Sequence, residues 1–352
     1  MYINLFIICI LFINSCSDPE TSSSLEYKKY SDGNIRDFDI MSDTLFVASE
    51  SNGLLIYKVN HLNESFNLDL LYPLVNQNKI IETPVTLEIA EKSRSLVILD
   101  DYNHTYISKL DFFGTNSIFS SIACDDYQRK SAIIEYDDNT VNLITPFRHK
   151  ATQNEVDLLA WNTSFLHRIT FKPEEYAYNV YSGLCSDTLY KYLNYDIKDV
   201  FYKDQKLYLV NPDSEANSIH VLSHNLIDST FSYIDTLDFE STPTIITSYG
   251  DSLFIGMDNK AGCYIQLLGN NDTNNSNFNI ASGYSIKDIQ VYDDYIVLSA
   301  GYDGVLVYDR DTSGLKLSFV IKGIYAYKAL LYDDLNLMVG TKNGLHVYKL
   351  ER

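Results

Sequence analysis

Tryptophan is nearly missing from this chain: Trp161 is the only one in 352 residues. A repeated architecture docked on tryptophans is therefore excluded. Proline and glycine are scarce, 7 and 15, which excludes a collagen-like or proline-rich stalk. Positive charge is short: 27 Lys and Arg stand against 47 Asp and Glu, a net charge of −20. Such a chain repels phosphate backbones, so nucleic acid is not an expected partner. Cysteines number 5. Cys124, Cys185 and Cys263, the three beyond the N-terminal segment, match no metal-binding spacing. They are read as small buried hydrophobes, with one disulfide among them as the alternative. No G-x-S-x-G, P-loop, G-x-G-x-x-G or H-E-x-x-H occurs. What is abundant is tyrosine, 29 residues, within a hydrophobic fraction of 45%. Tyr, Ile and Val suit half-buried strands, and a chain this long can bury about three quarters of its unfolded surface. Composition thus predicts an acidic all-β protein.

The one long apolar run is Met1–Ser15, MYINLFIICILFINS, which carries no charge. It is shorter than the roughly 20 residues a spanning helix needs and fits the core of a secretory signal. It ends at Ile13-Asn14-Ser15-Cys16, followed by the polar Ser17-Asp18-Pro19-Glu20-Thr21. This junction resembles the lipobox of bacterial lipoproteins. The resemblance implies a signal peptide over 1–15, lipidation of Cys16, a polar linker over 16–24 and anchorage through acyl chains. The implied location is the bacterial cell envelope, as an outer-membrane lipoprotein facing the periplasm or the cell surface. The acidic residues after Cys16 also resemble the surface-export signals of some Bacteroidetes lipoproteins.

Beyond residue 25 the chain repeats. Ile35-Arg36-Asp37-Phe38, Leu45-Phe46-Val47-Ala48 and Gly53-Leu54-Leu55-Ile56-Tyr57 align with Ile286-Lys287-Asp288-Ile289, Tyr295-Ile296-Val297-Leu298 and Gly304-Val305-Leu306-Val307-Tyr308. A third copy runs through Lys328-Ala329-Leu330, Leu337-Met338-Val339-Gly340 and Gly344-Leu345-His346-Val347-Tyr348. Gly304 and Gly344 are 40 residues apart, the period of a four-stranded propeller blade. Asp-Asp or Ser-Asp between the first two strands, and Asn-Gly or Asp-Gly before the third, are hairpin-turn chemistry. Weaker copies begin near Val85, Ala132, Ile197 and Thr244. In the copy from Ala132 the third strand is placed at Val156-Asp157-Leu158-Leu159. These words resemble the LVIVD-repeat family of bacterial β-propellers, whose third strand reads Gly-Leu-x-Ile-x-Asp after an aromatic-Val-Ala second strand. The resemblance implies a propeller and is silent on activity.

Strand-like segments number about thirty, and seven four-stranded blades account for most of them. The expectation is a single all-β propeller over 25–352 with seven blades, six or eight being the alternatives, and a hairpin-like insertion near 174–195. The last copy supplies only three strands. Leu25–Tyr30 is the spare segment, expected to close the ring as the outer strand of the final blade, because an open sheet edge invites aggregation.

The candidate chemistry sits where first strands line the channel. Arg36-Asp37, Lys198-Asp199 and Lys287-Asp288 occupy one repeat position and could form a partial ring at a channel mouth, able to take a cation or polar ligand. Equally, each Asp could bond to the next blade's backbone. A second candidate is an aromatic patch of Tyr176, Tyr178, Tyr181, Tyr190 and Tyr192. No catalytic or metal-ligand set is assigned. No cofactor is expected, calcium at Asp137-Asp138-Asn139 or Asn211-Pro212-Asp213-Ser214-Glu215 being the only one left open. The expected function is an envelope-anchored, monomeric, non-catalytic propeller that binds a protein or glycan of the cell envelope and reaches the membrane through its lipid. The alternative is a propeller hydrolase or lyase with a metal-assisted site at the channel mouth.

Overall fold

In a computed structural model, residues 27–62, 65–73, 83–100, 104–109, 120–123, 130–137, 140–148, 164–171, 188–192, 197–212, 216–268, 278–311, 314–334 and 336–350 are described. They form seven four-stranded antiparallel sheets arranged as blades around a channel. The innermost strands are Ile35–Met41, Pro84–Ala90, Ala132–Glu135, Asp199–Lys203, Pro243–Tyr249, Asp288–Val291 and Ala326–Leu331. Each neighbours the next, and the seventh neighbours the first. Among the described residues no helix is long and apolar enough to cross a membrane.

Burial follows position in the blade. Second strands such as Ser95–Asp100 are buried at every residue, because both of their faces meet a neighbouring blade. Fourth strands such as Thr230–Asp238 are largely exposed. That is why the second strands read in the sequence as unbroken apolar words. Alternation divides those words between two neighbours. In the first blade Phe46 and Ala48 pack with Leu87, Leu96 and Ile98 of the second. Leu45 and Val47 pack instead with Leu330, Met338 and Val347 of the seventh. Tyr57, Tyr308 and Tyr348 are all buried at one third-strand position, as packing between blades requires. Cys263 is free and buried in the core shared by the fifth and sixth blades, and burial pushes its thiol up to about 12.

The N-terminal strand does close the ring. Tyr27–Lys29 pairs antiparallel with Gly344–Lys349, in the register Tyr27 to Tyr348 and Lys29 to His346. The Tyr30 N–H donates to Leu345 O at 2.9 Å, and the Leu345 N–H donates to Ser31 Oγ at 3.1 Å. The Tyr27 ring stacks on His346 with centroids 4.6 Å apart. The clasp also grips the first blade: Tyr57 donates to Tyr30 O at 3.3 Å, and Lys28 Nζ donates to Asn67 Oδ1 at 2.6 Å.

The third blade departs from the sequence reading. Its third strand is Ser164–Phe171, not 156–159, which lie outside the described residues. Thr188–Tyr192, read from the sequence as half of an inserted hairpin, is the blade's outermost strand, paired with Ser164–Phe171. The blade needs a fourth strand, and the sequence reaches it only after a long connection.

Gly344 shows how tightly the clasp is built. Its φ is +130°, and a Cβ there would lie 1.8 Å from Ser31 O, in the backbone of the closing segment. Gly304 repeats this geometry in the sixth blade, against Ile321 O. Gly250, at φ +54°, faces open space. Gly344→Ala should therefore cost about 2–4 kcal/mol in urea unfolding, well above Gly250→Ala at about 1 kcal/mol. Deleting residues 25–31 should lower the melting temperature sharply, and an unchanged melting temperature would refute the clasp.

Candidate functional site

Along an innermost strand, alternate residues face the channel. Asp37, Asp199 and Asp288 stand opposite Ala48, Val210 and Ser299, equivalent places in their blades. Two of them latch onto the blade that follows. Asp37 Oδ2 accepts from the Leu87 N–H at 2.9 Å, and Asp199 Oδ2 accepts from the Ile246 N–H at 3.0 Å. A carboxylate satisfied by backbone N–H groups is a structural part first. Asp288 Oδ2 instead accepts from Gln290 Nε2 at 3.3 Å.

The basic halves of the three pairs separate. Arg36 turns outward to Glu50, with Nη2 3.0 Å from Oε1, and its guanidinium lies 5.2 Å from the Tyr327 ring centre. Lys287 pairs with Asp258 at 3.4 Å. Both border the channel at its mouth, whereas Lys198 is not among the residues that line it. The expected charged ring thus resolves into a mouth with two cations and a deeper wall.

The channel as a whole, mouth and wall together, has a volume of about 630 Å³, within the range of small-molecule sites. Its described charged groups include the carboxyls of Asp37, Asp39, Glu88, Asp199 and Asp288 and the ammonium groups of Lys130 and Lys328. Lys328 of the seventh blade pairs with Asp37 of the first at 2.8 Å, both side chains mostly buried. Burial disfavours both ammonium ions, but the surrounding carboxylates outweigh it. Asp37, Asp39 and Asp288 raise Lys328, and Asp199, Asp37, Asp288 and Glu88 raise Lys130. Burial pushes Glu88 up to about 8, with Asp37 adding and Lys328 opposing. It pushes Asp288 up to about 6, with Lys328 opposing. Asp39 and Asp199 are raised by burial as well, against Lys328 and Lys130 respectively.

Sequence reasoning missed Asp39, Glu88 and Lys130, and met Lys328 only as the first residue of the third repeat copy. The signal was a step of two. Asp39 follows Asp37, Glu88 follows Thr86 and Gln290 follows Asp288, each pair on one face of its strand.

A second cluster surrounds the mouth at the sixth and seventh blades. Tyr302 lies in the turn before the sixth blade's third strand and is 76% exposed. Its ring meets Tyr325 edge-on, and Tyr325 meets Tyr327, with centroids 4.6 Å apart in both cases. Lys342 lies in the corresponding turn of the seventh blade. Its ammonium sits 4.5 Å from the Tyr302 ring centre and 4.2 Å from that of Tyr325, and donates to Tyr302 Oη at 2.8 Å. Tyr325 and Tyr327 line the channel, so the ladder leads from solvent into it. The patch expected from the sequence is not described as such. Tyr176, Tyr178 and Tyr181 lie outside the described residues, and Tyr190 and Tyr192 are placed only as backbone of an outer strand.

Among the described residues no three or more His, Cys, Asp or Glu side chains group as metal ligands. Of the two segments considered for calcium, Asp138, Asn139, Asp213, Ser214 and Glu215 fall outside the described residues. His224 is held by aromatics: Tyr202 Oη lies 2.8 Å from Nδ1, and Phe231 stacks on the ring at 4.5 Å. Burial lowers its pKa and pushes Tyr202 up to about 12. His220 stands apart against Tyr233.

Glu88 gives a test with a definite sign. Its folded pKa, about 8, lies above the ordinary value of 4.5, so the folded protein keeps a proton that the unfolded chain releases. Its contribution is full below about pH 4.5 and is lost as the pH rises to 8. Glu88→Gln cannot ionise and escapes that loss. Its stability relative to wild type should grow steadily from pH 5 to pH 8.5 in urea unfolding. A difference that stays constant across that range would show an ordinary Glu88.

No known protein family matches the chain, and no curated protein does. Among solved structures it is similar to the crystal structure of the computationally designed Ika8 protein, with a TM-score of 0.56 and 10% sequence identity over 91% of this chain and 97% of that one. At that identity the likeness speaks for the propeller fold alone.

Proposed function

We propose that this protein is a lipid-anchored propeller of the bacterial cell envelope that binds a protein or glycan partner without catalysis. The observation that carries the binding role is the ladder of Tyr302, Tyr325 and Tyr327 with Lys342 at the channel mouth. Tyrosine brings large contact area at low entropy cost together with a hydroxyl for hydrogen bonding. Lys342 and Arg36 add donors beside the rings. The turns of two blades and the crossing between them meet at this corner, and the Ala326 N–H donates to Gly301 O at 2.9 Å. That bond ties the turn of Tyr302 to the strand of Tyr327. A platform fixed in this way loses little freedom on binding. The anchor rests on the apolar run and Cys16, both outside the described residues.

Two experiments test this reading. Cys16→Ala should move the protein from the membrane fraction to the soluble one, and continued membrane retention would count against the anchor. On an array of envelope glycans and against purified envelope proteins, wild type should select a ligand that Tyr302→Ala combined with Lys342→Ala binds at least about tenfold more weakly. Selection of ligands that ignores both substitutions would remove this corner as the binding face.

A further inference from the structure

The channel interior lies beyond the tyrosine ladder, and its carboxyls are not among the residues that carry the partner site proposed above. Asp37 is occupied by Lys328 and the Leu87 N–H, and Asp199 by the Ile246 N–H. Three carboxyls remain that neither accept from a neighbouring blade nor lie at ion-pair distance from an ammonium or guanidinium among the described residues: Asp39, Glu88 and Asp288. Asp39 accepts only from its own strand, the Ile40 N–H at 2.8 Å. Asp288 accepts from the Gln290 amide. The Glu88 carboxyl lines the cavity, partly buried, and has no hydrogen-bond partner among the described residues. A carboxyl held above its ordinary range, as Glu88 is, is stabilised in its ionised form by a ligand that brings positive charge to it.

These three groups lie on the first, second and sixth blades, around one cavity of about 630 Å³. They do not group tightly enough to hold one metal ion. A cation that satisfies them must be extended and must carry its charges some distance apart. Tyr325 and Tyr327 stand at the entrance, and rings of this kind attract organic cations. The Arg36 guanidinium already lies over one of them. The net charge of −20 favours the approach of a cation.

We infer that the channel is a binding site for a linear organic polyammonium ion, a di- or triamine, which enters past Tyr325 and Tyr327 and places its ammonium groups against Asp39, Glu88 and Asp288. Lys130 and Lys328 set the limits of the site. The Lys328 ammonium holds Asp37 at ion-pair distance, and Lys130 acts on Asp199 and Glu88 through its charge alone, so the carboxyls of the wall outnumber the ammonium groups that face them.

Binding is linked to protons. Glu88 faces Asp37 and Asp39 from the first blade, Lys130 from the third, Asp199 from the fourth, Asp288 from the sixth and Lys328 from the seventh. Near neutral pH it is mostly protonated, and an incoming ammonium ion favours its ionised form. The amine therefore displaces a proton, and affinity should rise with pH by up to about tenfold per unit between pH 6 and 8.

The experiment is calorimetric titration of the full-length protein with spermidine, putrescine and magnesium chloride at matched ionic strength, in two buffers of different ionisation enthalpy. Spermidine should bind at least about tenfold more tightly than magnesium, release close to one proton at pH 7, and raise the melting temperature. Glu88→Gln should abolish the proton release, and Asp39→Asn should weaken binding about tenfold. Both substitutions preserve shape, and the melting temperature of each variant reports whether it folds. Spermidine binding no tighter than magnesium, or unaltered by both substitutions, would overturn the inference. Tight magnesium binding that excludes spermidine would overturn it in favour of a metal site.

Discussion

Every blade of this protein depends on having a neighbour on each side. The second strands are buried on both faces, so a blade at a free end would expose a whole apolar surface to water at about 25 cal/mol per Å². A ring has no ends, and the constraint reduces to how one chain closes it. Here the two termini share a blade: Tyr27–Lys29 completes a sheet whose other strands come from the last described residues, Ala326 to Lys349. Loop-closure entropy opposes that pairing but grows only with the logarithm of the chain enclosed. The apolar surface buried on both sides of the seventh blade is extensive. Closure is strong because it is combined with packing of the first blade against the seventh, through Ile35, Phe38 and Val47.

Closure also makes the channel. Once seven inner strands face one another, the residues that alternate inward have no apolar surface to cover, and charge collects there. The chain uses part of that charge to hold the ring. Asp37 and Asp199 reach to the next blade's backbone, and Lys328 bridges the seventh blade to the first at the closing seam. Partly buried pairs of this kind are exact in geometry and sensitive to loss of one partner. They suit joints whose register must not slip. The charges that remain, Asp39, Glu88 and Asp288, belong to no joint. They shift in the direction that burial dictates, and the unfolded chain would not show it.

The sequence made the fold legible because blade packing imposes a repeated local pattern: buried second strands, turns with Asn-Gly or Asp-Gly, and third strands opening on glycine. Gly304 and Gly344 recur because each meets a backbone carbonyl of the outer segment, Ile321 O or Ser31 O, at a positive φ that favours glycine. The clasp was legible for a simpler reason, a missing strand at one end and a spare one at the other. The third blade was obscure because its strands are separated by long connections. Its last strand, Thr188–Tyr192, therefore looked like a surplus hairpin. The site was legible only in its first layer. Arg36-Asp37 and Lys287-Asp288 stood out as dipeptides, yet the fold sends the two halves of each pair to different places. Asp39 and Glu88 share a repeat position that holds Gln290 in the sixth blade and so carries no constant residue type, and Lys342 reaches Tyr302 across 40 residues of sequence. Such contacts exist only once the blades are side by side.

The division between joint and free charge bears on how the channel can change without loss of the fold. Asp37 and Asp199 accept backbone N–H groups that would otherwise be buried and unmatched, so their replacement damages the ring whatever the channel binds. Glu88 and Asp39 make no such contact with a neighbouring blade. Glu88 is kept as a carboxyl at a cost in stability above its ordinary pKa. A glutamine of the same shape would avoid that cost, and the ring would still close through its apolar second strands. A group that weakens the folded state and joins nothing is the mark of a site arranged for something other than folding. In this propeller that mark falls on the inner wall beside the tyrosine entrance and not on the seams between the blades.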